Sequence, residues 1–180
     1  DMSYIPDDIK NVVQKRKPII GYFGALAKWF DYNLIEKLAK ERQEYDILLI
    51  GWDYDGSLKK SKLNKMENVT IIGPIDYKIL PQYAKFFDVS IISFLINDIT
   101  EATSPVKLFE YMALGHPIVT TDMPECRKYE SVLIGKTHDE FIEKVDLALK
   151  LKDNKEYKDL LIEEKKLSEV FMTYYEGEGM

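Results

Sequence analysis

Lys107 and Glu110 are the two residues of this 180-residue chain whose types and spacing suggest chemistry most directly. Three residues apart on a helix, their side chains share a face. A lysine for phosphate and a carboxylate for vicinal ribose hydroxyls, one turn apart, match a nucleoside diphosphate in size and charge. The helix that would carry them is legible. Ser104 is a good N-cap, and Pro105 suits the first helical position, where a missing N–H costs nothing. Val106, Phe109, Met112 and Ala113 fall at helical spacing and form an apolar face. Gly115 suits the left-handed position after the last turn, and Pro117 prevents continuation. Lys107 is then a cation at the positive end of the helix dipole, opposing the helix by a few tenths of a kcal/mol or more. An anion on the same N-terminus would resolve that conflict, because free N–H groups there bind phosphate. An ordinary surface ion pair, worth ~0.3–0.5 kcal/mol, is the commoner reason for this spacing on a helix. The position of this helix in the fold decides between them.

Six short apolar runs, at 18–23, 46–51, 69–74, 88–94, 117–121 and 131–135, have the length and continuous apolar character of strands buried on both faces. Helices are expected between them. Asp31 suits the N-cap of one carrying Leu34, Ile35, Leu38 and Ala39 on a single face. A lysine-rich helix is expected over 58–66, and another over 77–87 with Pro81 in its first turn. Residues 95–103 read as a loop. Thr137 or Asp139 caps a helix through Leu151, and a last helix over 155–174 ends in a frayed tail. This alternation, with few hairpin signals, predicts the α/β class: a doubly wound, open parallel sheet of about six strands. In such sheets the ligand crevice lies beyond the carboxyl ends of the strands. The loops there are 24–30, 51–57, 74–77, 95–104 and 122–125. They carry Gly24, Lys28, Trp52, Pro74, Ile75, Thr103 and Ser104, and the Lys107 helix begins where the fourth of them ends.

Composition narrows the partners. The chain is 46% hydrophobic and 31% charged, ordinary for one globular domain. A chain of this length buries roughly 70% of its extended surface, enough for a core without staples. A net charge of −6 and the lack of a dense basic stripe argue against nucleic acid. The single cysteine, Cys126, allows no internal disulfide and suits a reducing compartment, so a cytoplasmic location is expected. No apolar run approaches the ~20 residues of a membrane span. The opening Asp1-Met2-Ser3 reads as the interior of a longer protein.

The segment Ser104-Pro105-x-Lys107-Leu108-x-Glu110-Tyr111-x-Ala113-x-Gly115-x-Pro117-x-Val119 resembles the donor-binding half of a GT-B glycosyltransferase. More narrowly, it resembles the group 1 family and its S-P-x-K-x-x-E-Y-x-A-x-G-x-P-x-V segment. Gly21-Tyr22-Phe23-Gly24, Trp29-Phe30-Asp31, Ile72-Gly73-Pro74 and Leu80-Pro81-x-Tyr83-Ala84 fall where that family has its own signals, so the similarity spans about 18–151. It implies a Rossmann-like half of a GT-B fold that binds a nucleoside-diphosphate sugar, with no cofactor and no metal. By resemblance, Lys107 contacts the donor phosphates and Glu110 the ribose, Gly24 lets backbone approach the sugar-phosphate, and Pro74 with Ile75 holds the base. Lys28 is the sole candidate in its loop for the basic pair often seen there, and Thr103, Ser104 and Leu108 complete the donor set. Many relatives carry another glutamate where this chain has Ala102, and Glu101 is one position off. The resemblance further implies organisation as 1–17, a lead-in from a missing N-terminal acceptor domain; 18–152, the nucleotide-sugar domain; and 153–180, a C-terminal helix and tail. The catalytic base is expected in the missing domain, which is also where any peripheral membrane contact would lie. The isolated chain is expected to bind nucleotide and transfer nothing, with polysaccharide assembly as the setting.

Other signals carry less. Asp53-Tyr54-Asp55 has the D-x-D spacing that can chelate a hard cation, and an Asp-rich turn into Gly56 explains it as well. His116 and His138 have no partner at metal-ligand spacing. Trp52 suits stacking on a base or covering the sheet edge. Two rival readings remain: half of a sugar-nucleotide epimerase, which uses the same fold, and a non-catalytic regulatory module such as a receiver. The receiver lacks its acidic cluster and phospho-acceptor, because Gly24 and Pro74 occupy those places.

Overall fold

The structure, a computed structural model, describes residues 4–101 and 106–178. A 3₁₀ turn at Asp7–Ile9 leads into α1 (Lys10–Gln14), and this lead-in buries Ile9 and Val12 while Lys15, Arg16 and Lys17 stay exposed. Then follow β1 (Ile19–Phe23), α2 (Tyr32–Glu41), β2 (Asp46–Ile50), α3 (Ser57–Lys60), β3 (Val69–Ile72), α4 (Pro81–Ala84) and β4 (Val89–Ile92). The chain continues through α5 (Asp98–Glu101), α6 (Val106–Leu114, described from Val106), β5 (Ile118–Thr121), β6 (Val132–Gly135), α7 (His138–Leu151) and α8 (Lys155–Glu178). The strands form a six-stranded sheet in the order β3-β2-β1-β4-β5-β6, and the pairs β1–β2, β1–β4, β2–β3 and β5–β6 are all parallel. The expected α/β class and parallel sheet are what the chain adopts. Burial follows strand position: β1, β2 and β4 are buried at every residue, whereas the edge strand β3 is half-buried throughout.

Contacts divide the chain into two compact units, Asp1–Leu95 and Ile96–Met180. In the first, α2 is held at its start by the Asp31 carboxylate, which accepts the Leu34 N–H at 3.1 Å as an N-cap should. Its far end is closed by Asn68, whose side-chain amide donates to the carbonyls of Ala39, Arg42 and Tyr45. A cleft of about 460 Å³ opens beside that end, at the amino-terminal edge of the strands, lined by Lys15, Lys17, Lys40, Lys65 and Asn68. Two of these lysines already have partners, Lys15 on the buried Asp46 at 3.5 Å and Lys17 on the Gln43 carbonyl at 3.2 Å. In the second unit the Thr137 hydroxyl caps α7, accepting from Glu140 N–H at 3.1 Å. Helix α8 packs on α6, and its buried Tyr157 and Glu164 both bond to Ser131 just before β6.

Three expectations fail for local reasons. The lysine-rich helix breaks into α3 and a 3₁₀ turn at Leu63–Lys65, because the Ser61 hydroxyl donates to the Leu58 carbonyl and accepts the Leu63 N–H. A serine that bonds its own backbone in this way competes with helix continuation. The helix over 77–87 shrinks to α4, with Pro81 as its first residue and only a turn over 77–80 before it. Proline has no N–H to close an i→i−4 bond across that junction. The loop over 95–103 contains α5, capped by Asn97, whose side-chain oxygen accepts from Ile99 and Thr100 at 3.0 Å each. Beyond these, α8 runs to Glu178, past the expected end. Ser104 and Pro105, the expected N-cap and first residue of α6, lie outside the described residues, as do Ala102 and Thr103. Gly115 sits at φ 74° after α6, with its N–H on the Met112 carbonyl at 3.0 Å, as a left-handed C-terminal glycine should.

The tightest joint is at the ends of β1 and β2. A Cβ on Gly51 would lie 1.8 Å from the Gly24 carbonyl oxygen, and the backbone of both residues is hydrogen-bonded to neighbouring strands. Gly51→Ala is therefore expected to lower stability by about 1–3 kcal/mol in urea unfolding, the usual range for forcing a methyl into packed structure.

Candidate functional site

The strand order reverses between β1 and β4. In sheets of this order, ligands bind beyond the carboxyl ends of the strands at that reversal. Gly24 follows β1 there, at φ 139°, and donates to the Ile50 carbonyl at 2.8 Å. The loop that follows is pinned on both sides by backbone bonds. Toward β2, Leu26 N–H reaches the Trp52 carbonyl and Tyr54 N–H the Leu26 carbonyl, both at 2.9 Å. Toward β4, Asp31 N–H reaches the Ser93 carbonyl and Leu95 N–H the Trp29 carbonyl, both at 2.7 Å. Beneath it the Tyr22 hydroxyl donates to the Ala25 carbonyl at 2.8 Å, its ring packs edge-on to Phe30, and burial pushes its phenol well above the ordinary value.

The D-x-D triplet serves this loop. Asp53 accepts the N–H groups of Leu58 and Lys59 at 3.2 and 3.0 Å, one on each carboxylate oxygen. Asp55 accepts those of Ser57 and Lys28 at 3.1 and 2.9 Å. The Ser57 hydroxyl and these amides hold Asp55 below the usual carboxylate range. The two carboxylates thus organise α3 and the Lys28 turn, as in an Asp-rich turn. Among the described residues no group of three or more His, Cys, Asp or Glu gathers as a metal site would require. Lys28 is exposed, Pro74 is exposed and Ile75 half-buried on the loop after β3.

In the second unit, α6 buries Leu108, Phe109, Tyr111 and Met112 and leaves Lys107 and Glu110 half-buried. Leu108 is fully buried, so its side chain is core. Burial pushes the Lys107 ammonium below its ordinary pKa, with Glu110 partly restoring it. Burial likewise raises Glu110, against the opposing pull of Lys107. The pair is therefore unlike a solvated ion pair, because each member is kept in charge-disfavouring surroundings and relieved in part by the other. Glu101, on α5, is exposed and its charge acts on Arg127. At the end of β5, Asp122 is engaged by Arg127 in a two-pronged pair at 2.7 and 2.9 Å, which holds its carboxyl low. Cys126 is buried, and burial pushes its thiol up to about 11, an unreactive value near neutral pH.

A family model described as glycosyl transferases group 1 matches residues 17–150. The chain belongs to that family. Among curated proteins, TuaH of Bacillus subtilis (strain 168), provisionally named a teichuronic acid biosynthesis glycosyltransferase, is 29% identical over 123 residues. That alignment takes in 67% of this chain and 31% of TuaH, so the chain spans about a third of that relative. Among solved structures, the catalytic domain of cholesterol-alpha-glucosyltransferase from Helicobacter pylori shares the fold at a TM-score of 0.66 and 16% identity, covering 86% of this chain and 98% of that one. Anabaena Alr3699/HepE, solved with UDP and glucose, gives 0.64 and 16%, covering 92% of this chain and 48% of that one. This group 1 glycosyltransferase chain thus has the Rossmann-like sheet of the GT-B architecture.

The sequence singled out side chains and missed the interlock, which runs through backbone atoms of Leu26, Trp52, Tyr54 and Leu95. Only the glycines at 24 and 51 hinted at it. It also missed that Trp29, Trp52 and Tyr54 gather, with ring centroids 5.2 Å apart for Trp52–Tyr54 and 5.7 Å for Trp29–Tyr54.

The electrostatics of α6 can be checked directly. Because Lys107 lowers the Glu110 pKa against its burial, Lys107→Met is expected to move the Glu110 carboxyl further up, read by carboxyl-carbon NMR titration. In the wild type the raised Glu110 value favours the fold at acid pH. That contribution is present below the unfolded-state pKa and is lost as pH rises through the folded one.

Proposed function

We propose that the chain is the donor-binding domain of a glycosyltransferase that transfers a sugar from a nucleoside-diphosphate sugar to a glycan acceptor. Lys107 would meet the diphosphate and Glu110 the ribose hydroxyls. The observation that carries this is the desolvated Lys107–Glu110 pair near the start of α6. Partial burial disfavours the charge on both groups, and a phosphate oxygen on the lysine would restore the favourable surroundings that burial removes. Family membership makes a nucleotide sugar the natural anion, and the HepE structure holds UDP and glucose.

In this reading Lys107 stabilises the charge that grows on the departing diphosphate, aided by amides of the α6 N-terminus. Glu110 orients the ribose. Gly24 gives close backbone approach at the strand reversal, and the loop carrying Pro74 and Ile75 receives the base. Lys28 supplies a further positive charge, and Thr103 and Ser104 belong to the same donor set. The acceptor site and the catalytic base belong to a further domain, so the 180 residues alone bind donor and do not transfer. The relation to TuaH favours surface-polysaccharide assembly as the setting.

Calorimetry with UDP, GDP and ADP sugars tests the assignment. At least one is expected to bind, and Lys107→Ala to weaken it by about tenfold or more, the worth of a charge-assisted hydrogen bond. Glu101→Ala should have a smaller effect, and no heat from any nucleotide sugar at millimolar concentration would reject the proposal. A second readout follows from the depressed Lys107 pKa. Phosphate binding raises it again, so between its lowered and ordinary values binding takes up a proton. Repeating the titration in buffers of different ionisation enthalpy at alkaline pH should show that uptake, and Lys107→Ala should abolish it.

A further inference from the structure

Trp52 and Tyr54 are 51% and 56% exposed, large rings left in water on the ligand edge of the first unit. Neither is left there by a loose loop. The Trp52 carbonyl and the Tyr54 N–H are the atoms that bond Leu26, and the carboxylates on either side of Tyr54 each accept two backbone amides. The backbone that carries both rings is therefore held in place, while the fold draws little burial from the rings. Their planes meet at 79°, with centroids 5.2 Å apart, and Trp29 closes the back of Tyr54 at 5.7 Å. Two rigid rings at a right angle form an open corner. Exposed Lys28 and Asp55 lie on the same two loops, and exposed Lys59 follows in α3.

From this geometry we propose that Trp52 and Tyr54 form a stacking corner for a pyranose ring of the enzyme's saccharide substrate. A pyranose has an apolar face of axial C–H bonds and a rim of equatorial hydroxyls. One aromatic wall takes the C–H face and the second wall takes the edge. A flat nucleobase needs one ring face to stack on, whereas the thicker pyranose chair also meets a second wall. The inference rests on the saccharide chemistry of the family and is independent of the phosphate role given to Lys107. The ring belongs either to the donor's sugar or to the acceptor, and the same corner suits both.

The chain's two tryptophans, Trp29 and Trp52, both lie in this cluster, so intrinsic tryptophan emission reports on it alone. The intact chain is titrated with UDP, UDP-glucose, UDP-galactose, cellotetraose and N-acetylchitotetraose at millimolar concentration. Saturation-transfer NMR in parallel reads which sugar protons lie on aromatic rings. The expected result is an emission change and saturation of ring C–H protons, with Trp52→Ala or Tyr54→Ala weakening the response about tenfold and Trp52→Phe restoring most of it. A response to the tetrasaccharides assigns the corner to the acceptor. A response to the UDP-sugars beyond that to UDP assigns it to the donor's sugar. Equal responses to UDP and UDP-sugars with none to the tetrasaccharides would overturn the proposal in favour of base stacking, and no response to any probe would overturn it outright. Because both rings are exposed, the alanine variants should fold, as far-UV circular dichroism can verify. Lys107→Ala separates the two readings: loss of UDP binding in that variant with the tetrasaccharide response intact supports both, whereas a saccharide response of the wild-type chain without any UDP binding rejects only the donor assignment.

Discussion

The close approach of Gly24 to Gly51 is the constraint on which the ligand edge of the first unit depends. With 1.8 Å between the Gly24 oxygen and a Cβ at position 51, any side chain there would push the ends of β1 and β2 apart. Their contact lets the ladder continue past the strands, through Gly24 N–H to Ile50 and then the Leu26–Asp53 bridge. Once that bridge forms, the loop after β1 is held by β2 on one side and by the residues after β4 on the other. Its shape then follows largely from backbone bonds, with the Asp55 carboxylate and the Tyr22 hydroxyl adding one bond each. Binding energy is not spent on ordering such a loop, which is what preorganisation means for affinity.

The second unit reaches its candidate site by another route. Four of the nine residues of α6 are buried and fix the helix, so Lys107 and Glu110 have no choice of surroundings. A helix chosen for stability alone would place apolar residues of similar volume at such positions, since desolvating a charge pair often costs more than the pair returns. Perturbed pairs of this kind gather at functional sites because a ligand supplies what the fold withholds. Stability alone therefore does not account for a lysine and a glutamate at positions 107 and 110.

The sheet was legible because its signal is redundant. Each of the six apolar runs is short, continuous and bounded by polar or glycine-containing segments, and every strand lies within the run that announced it. The Asp31 and Thr137 caps were legible for the same reason, as one side-chain oxygen bonds one nearby N–H. What was not legible depended on competition between near-equal local choices. Ser61 could leave its neighbours helical or bond its own backbone, and the second option broke the helix. Four residues with no apolar period gave no notice of α5, although Asn97 was a cap in plain view. The pinned loop was the least accessible, because backbone bonds between segments distant in sequence leave almost no trace in residue types. At the candidate site the sequence offered Lys107 and Glu110 by spacing and resemblance, but only the fold supplied their desolvation.

The D-x-D triplet illustrates how backbone geometry decides chemistry that residue type leaves open. The same two aspartates could have turned their oxygens toward a cation. Instead four amide N–H groups, from Leu58, Lys59, Ser57 and Lys28, occupy them at 2.9 to 3.2 Å. Recruiting both carboxylates to a cation would forfeit these charge-assisted bonds. It would also release the Lys28 turn and the start of α3, and with them the fixed placement of Tyr54. The triplet's negative charge is therefore already committed to the loop.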